Sequence, residues 1–135
     1  MNEDKCCCAG GVTTILACSG GSNVGQITNE AAKRLDMAGV GKFFCLAGVG
    51  GRISGMVASV EGSDTVLVID GCQVACAKKT MEAAKLDRYQ YVVVTDLGIE
   101  KAHDFRLSEE DIARAMSACL ASVGGSPAVE VPSEA

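Results

Sequence analysis

The chain has 135 residues, 48% apolar and 21% charged, with a formal net charge of −5, which describes one globular domain with a real core and excludes a chain disordered as a whole. The acidic balance, with three Phe, two Tyr and no Trp, also excludes a stacking platform for single-stranded nucleic acid and any electrostatic draw toward nucleic acid or an anionic membrane. No apolar run approaches the roughly 18 residues that a membrane span needs.

The first segment, Met1–Gly11, reads "MNEDKCCCAGG". It has neither a periodic apolar pattern nor the basic and apolar regions of an export leader, so a flexible arm on a cytoplasmic protein is expected. "VTTILAC" (Val12–Cys18) is a buried strand, followed by the turn cluster "SGGSNVG" (Ser19–Gly25). A helix follows, with Ile27, Ala31, Leu35 and Ala38 at helical spacing and a glycine stop at Gly39. "KFFCLAG" (Lys42–Gly48) reads as the second strand, and Gly50–Gly62 as a weaker, glycine-broken helix. "DTVLVID" is the third strand, Gln73–Asp87 a helix, and "YQYVVVTD" (Tyr89–Asp96) the fourth strand. The last helix opens on Ser108 as N-cap, with Asp111 in its first turn. The domain is thus expected over residues 12–123, with a polar, disordered tail over 124–135.

Alternating strands and helices specify an α/β domain of three layers, with a parallel sheet of four or five strands read as continuous apolar runs. The natural order is flavodoxin- or Rossmann-like, 2-1-3-4, and such a sheet offers one preferred crevice, beyond the carboxyl ends of its strands.

The cysteines fall on that edge. Cys18 ends strand one, Cys45 lies near the end of strand two and Cys72 follows strand three. Neighbouring strands lie about 4.8 Å apart, so their terminal thiols can converge. Cys76, four residues after Cys72, is expected one helical turn further on and on the same side. Four sulfurs of this kind suit tetrahedral zinc, with Zn–S of about 2.3 Å. A helix start beside them would favour the thiolate form that a metal binds. Eight cysteines in a chain with no export leader point to metal or thiol chemistry and away from a disulfide framework. Gly71 would allow close backbone approach, and Asp70 would take loop amides or orient the shell around the metal. Cys119, on the apolar face of the last helix, reads as core.

The blocks "CSGGSNVGQITNEAA", "FCLAGVGGRISGM", "VIDGCQVACAKKT" and "YVVVTDLGIEK" resemble the DGC-domain family of zinc-binding proteins, named for the triplet found here as Asp70-Gly71-Cys72. The resemblance runs from Thr13 to Lys101. It implies metal-binding cysteines at Cys18, Cys45, Cys72 and Cys76, the four that topology gathers, in a small cytoplasmic bacterial or archaeal protein.

Other chemistries use the same parts. Cys18 followed by "SGGSNVG" loosely resembles the anion cradle of low-molecular-weight phosphatases and arsenate reductases, but Ser22, Asn23 and Val24 occupy the region where those enzymes place an arginine. An iron–sulfur cluster would also use four cysteinates. A phosphorylated receiver needs an acidic pair after strand one, and "ILACSGG" has none. Thr95 and Asp96 either line the crevice or cap a turn. His103 belongs to a solvated loop, and Lys78, Lys79, Lys85 and Arg88 to a solvated helix surface. Cys6, Cys7 and Cys8 either hand metal to the crevice or sit on an arm with no fixed partner. No acid–base pair for catalysis can be named. The expectation is a metal-binding protein of metal or thiol/sulfur homeostasis or sensing, with the metal ion as its partner.

Overall fold

A computed structural model describes residues 11–124. The expected arm, with Cys6, Cys7 and Cys8, and the expected tail lie outside the described residues except for Gly11 and Gly124. The elements are β1 (Thr13–Ala17), α1 (Asn23–Met37), β2 (Lys42–Phe43), α2 (Leu46–Gly50), α3 (Ser54–Glu61), β3 (Thr65–Asp70), α4 (Cys76–Ala83), β4 (Gln90–Val93), a 3-10 turn (Val94–Leu97) and α5 (Glu109–Ser122). The four strands form a parallel sheet in the order β2-β1-β3-β4, as the alternation of strands and helices requires.

Alternation along the two central strands decides which helix covers which face. Ile15, Ala17, Leu67 and Ile69 point to one side, where they pack with Ile27, Ala31 and Leu35 of α1 and Ile112, Ala115 and Met116 of α5. Leu16, Val66 and Val68 point to the other, against Val49 of α2, Val60 of α3 and Ala77 and Met81 of α4. Both faces are covered, so the middle of each central strand, Ile15–Ala17 of β1 and Val66–Ile69 of β3, is a continuous apolar run without polar alternation. Cys119 is fully buried in the first of these cores, and burial raises its thiol pKa to about 12, so it is an inert core residue as expected.

Three elements depart from their expected bounds. The second strand pairs over Lys42 and Phe43 only, Phe44 adding one more amide bond to Ile15 O at 2.8 Å. The chain then leaves the sheet and coils into α2, where Gly48 lies against Met56 with no room for a side chain. The helix expected over Gln73–Asp87 begins only at Cys76 and ends at Ala83. The fourth strand stops at Val93, and Val94–Leu97 turn as 3-10 helix. Among the described residues, no helix is long and apolar enough to cross a membrane.

One ion pair ties the two helices of the first face together. Arg34, 6% exposed on α1, donates from Nη1 and Nη2 to Oε1 and Oε2 of Glu109 at 2.7 and 3.1 Å, a bidentate arrangement. The guanidinium's hydrogen bonds hold the Glu109 carboxyl below its usual range. A lowered carboxyl pKa contributes stability that is present above the unfolded value of about 4.3 and is lost as pH falls through the folded value. Glu109→Gln is therefore expected to melt below the wild type at neutral pH, with the gap closing as both are titrated toward about pH 3. A gap that stays constant with pH would show that the carboxylate charge contributes nothing.

Candidate functional site

The carboxyl edge of the sheet is built by two turns pressed against each other. The first follows β1. Cys18 N donates to Ile69 O at 3.0 Å, extending the ladder by one residue. Ser19 then adopts a left-handed conformation (φ 52°), and the Gln26 amide donates to Ser19 O and Gly20 O at 3.1 and 2.9 Å. Ser22, the N-cap of α1, accepts from Gly25 N at 3.0 Å, the capping expected of a serine in this position. Buried Thr28 accepts from Ser19 N and donates to Gly25 O. With that proton committed, the Cys18 thiol, 3.7 Å away, is the donor of the Cys18–Thr28 contact.

The second turn follows β3. Asp70 is 1% exposed and fully engaged. Its Oδ1 accepts from Ala77 N at 2.8 Å, and its Oδ2 from Lys78 N at 2.9 Å and the Tyr91 hydroxyl at 2.6 Å. It therefore takes the Ala77 and Lys78 amides in the first turn of α4, where loop amides were expected, and it is not free to ligate a metal. Burial, and then the bond to Asp70, push the Tyr91 phenol above its ordinary pKa. Gly71 follows, so close to α1 that a Cβ would lie 2.8 Å from Gly25 N and Val24 C. Its carbonyl accepts from Thr95 N at 3.1 Å. Cys72 sits in the turn itself, Ala75 is left-handed (φ 61°), and Cys76 is the first residue of α4.

Two expectations change here. Cys72 and Cys76 are not one helical turn apart, because Cys72 precedes the helix and the left-handed Ala75 intervenes. Nor are the Ala77 and Lys78 amides in the first turn of α4 available to the thiols, since the Asp70 carboxylate has taken them.

The thiols still share one edge. Cys18, Cys72 and Cys76 line a cavity of about 140 Å³ with Gly20, Gly71 and Lys101. Cys45, the N-cap residue of α2, lines a second cleft of about 500 Å³ with Phe44 and Leu46. Cys18 borders both. Cys45 and Cys76 are exposed, Cys18 and Cys72 half-buried, and among the described residues none of the four is in a disulfide. As the side chains stand, no three His, Cys, Asp or Glu among the described residues are grouped to hold a metal ion. Among the described residues, the cavity's lining nevertheless suits a thiophilic cation: three sulfurs, one lysine, and a single carboxylate, Asp70, that is already engaged. Cys45 lies in the adjoining cleft, which shares Cys18 with this cavity.

Lys101 escaped the sequence reading. Its Nζ lies 3.4 Å from Cys72 Sγ, across 29 residues of chain. Both of its neighbours are tied down by Asn23: the Asn23 side chain donates to Glu100 O at 2.8 Å and accepts from Ala102 N at 2.6 Å. The Asn23 backbone amide donates to Ala102 O at 2.9 Å. An asparagine at the start of a helix reads locally as a cap, so nothing in the sequence pointed to a loop so distant.

The remaining candidates settle into structural places. The His103 ring contacts Gly21 O at 3.3 Å and packs edge-on against Phe105. Asp96 accepts from Gln73 Nε2 at 2.8 Å, while the Thr95 hydroxyl is buried with no partner among the described residues. Arg88 donates to the carbonyls of Glu61, Ser63 and Asp64, closing the end of α3 and the turn after it, and Lys78 lies over the Tyr91 ring. The surface charges are thus partly structural ties.

A family model described as DGC domain matches residues 14–119. Among curated proteins, the chain is 31% identical over 100 residues to the anaerobic and virulence modulator AnvM of Pseudomonas aeruginosa (strain PAO1), a match covering 74% of this chain and 76% of that protein. No solved structure matches.

Proposed function

The chain belongs to the DGC domain family, and from that premise we propose that it is a small metal-binding protein that takes one thiophilic cation, zinc first among them, through Cys18, Cys45, Cys72 and Cys76. The observation that carries this reading is the shared cavity: three of the four thiols line it, and the fourth borders the cleft that adjoins it through Cys18. Cys45 and Cys76 are exposed, so their side chains can turn toward a cation without disturbing the core. Asp70, Gly71 and Thr28 would act behind the ligands, setting the turns that carry them. Zinc held by four thiolates is a closed, structural type of site, whereas three thiolates would leave a position for an incoming ligand.

The biological role we propose is metal or thiol/sulfur homeostasis or sensing in the cytoplasm. The relative's role as an anaerobic and virulence modulator belongs to that protein. Carried over as part of this proposal, it suits a site made of thiols, the groups that oxygen alters most readily. An iron–sulfur cluster would engage the same sulfurs, and thiol chemistry on an anion would use Lys101 in place of the missing arginine.

Elemental analysis of full-length protein purified without oxygen, wild type beside Cys72→Ser, tests the reading. The expected result is about one zinc per chain in the wild type and its loss in the variant, as for a mononuclear all-sulfur site. Iron with sulfide in brown protein would replace zinc by a cluster. Wild-type protein free of any metal, even after incubation with zinc, would overturn metal binding altogether.

A further inference from the structure

We infer that Lys101 is a positioning residue of the thiol site: its ammonium donates to Cys72 Sγ and offsets the negative charge that the bound cation leaves on its sulfurs. This rests on the metal-binding reading above. The geometry is specific. Lys101 Nζ is 3.4 Å from Cys72 Sγ, and Lys101 lines the cavity that also exposes Cys18 and Cys76. Among the described residues, no other cationic side chain lines that cavity.

The lysine is delivered, not merely nearby. Glu100 and Ala102, on either side of it, are both bound by Asn23 through three hydrogen bonds of 2.6 to 2.9 Å. Asn23 is the first residue of α1, and α1 begins directly after the turn that carries Cys18. One side chain thus fixes the loop that brings a cation to Cys72 and starts the helix that anchors the Cys18 turn.

Electrostatics says why this matters. Four thiolates around a dication leave a net charge of −2, and three leave −1. Such a cluster in a partly enclosed cavity is stabilised by charge-assisted hydrogen bonds to its sulfurs. The Ala77 and Lys78 amides at the start of α4 cannot supply them, because Asp70 holds both and brings a further negative charge of its own. Lys101 supplies one directly, at Cys72. A long exposed lysine also carries little structural duty, so its removal should alter binding without altering the fold.

The test is zinc affinity by competition with a chromophoric chelator, on full-length, metal-free protein kept from oxygen. Lys101→Met, which keeps the length and removes the charge, is expected to weaken zinc binding by about 10- to 100-fold, the range for loss of a partner behind a metal ligand. Lys101→Arg should restore affinity to within about threefold, because the donor and charge return. With cobalt(II) as probe, the thiolate-to-metal charge-transfer band should shift in Lys101→Met and return in Lys101→Arg. The thermal midpoint of the metal-free proteins should be the same in all three, a readout that a merely structural lysine would move. Wild type and Lys101→Met binding zinc equally well would overturn the role of Lys101 and leave the metal site standing. A wild type that binds neither metal would remove both.

Discussion

Asp70→Ala is expected to lower the thermal midpoint by about 10 °C or more. The carboxylate is buried at the centre of the α/β edge and satisfies three donors at once: two amides that open α4 and the Tyr91 hydroxyl. A buried donor left unpaired costs about 1 to 3 kcal/mol. Some of that would be recovered by water entering from the neighbouring cavity, so about 3 kcal/mol in total is a reasonable expectation. For a domain near 100 residues, each kcal/mol moves the midpoint by roughly 4 °C or more. Asp70→Asn, which keeps one carbonyl oxygen as acceptor, should fall between. Thermal unfolding by circular dichroism measures this directly, and an Asp70→Ala midpoint within about 2 °C of wild type would show that the three bonds do not hold the turn. Because Cys76 is the first residue of α4, the same substitution should also loosen the placement of one thiol.

Gly71→Ala is expected to destabilise the protein and distort the thiol edge together. The added methyl would meet Gly25 N and Val24 C at 2.8 Å and Val24 O at 3.0 Å, all backbone atoms. Carbon contacts are comfortable at about 3.5 to 4.0 Å, so the two turns would have to part by roughly half an ångström or more. Neither can swing away cheaply: the Gly71 carbonyl is held by Thr95 N, and the Gly25 amide by Ser22. Overpacking of this kind costs about 1 to 3 kcal/mol. The parting surfaces are the walls of the cavity that holds Cys18, Cys72 and Cys76, so weaker metal uptake should accompany the lower midpoint. A Gly71→Ala protein as stable as wild type would mean that the glycine of the triplet is not required for backbone contact.

Most of the scaffold was legible because its signals are local. β1 and β3 contain continuous apolar runs, Ile15–Ala17 and Val66–Ile69, buried on both faces, and α5 begins where Ser108 accepts from Asp111 N, as its sequence proclaims. The alternation implied a parallel sheet, and the strand order followed from the flavodoxin-like arrangement natural to so few strands. The misread segments depend on distant partners. "FFCL" has the composition of a strand, yet only Lys42 and Phe43 pair with β1, and packing of Leu46 and Val49 against the second core turns the rest into helix. The late start of α4 depends on a left-handed Ala75, a conformation that costs an alanine about 1 to 2 kcal/mol and leaves no mark in composition. At the site, the cysteines announced themselves by falling at strand ends. Lys101 could not, since its role exists only after Asn23 has closed a loop of 77 to 79 residues upon itself.

The most direct test of the four-thiol site is a cobalt(II) titration of full-length, metal-free protein under exclusion of oxygen, for the wild type and for Cys18→Ser, Cys45→Ser, Cys72→Ser and Cys76→Ser. Cobalt reports both geometry and sulfur ligation through its visible and charge-transfer absorption. The expected result is saturation at one equivalent, with the intense visible bands of a tetrahedral ion and thiolate-to-cobalt charge transfer, and a weaker charge-transfer band in each serine variant. A wild-type spectrum that keeps the faint absorption of the hydrated ion, with no charge transfer from sulfur, would contradict the site.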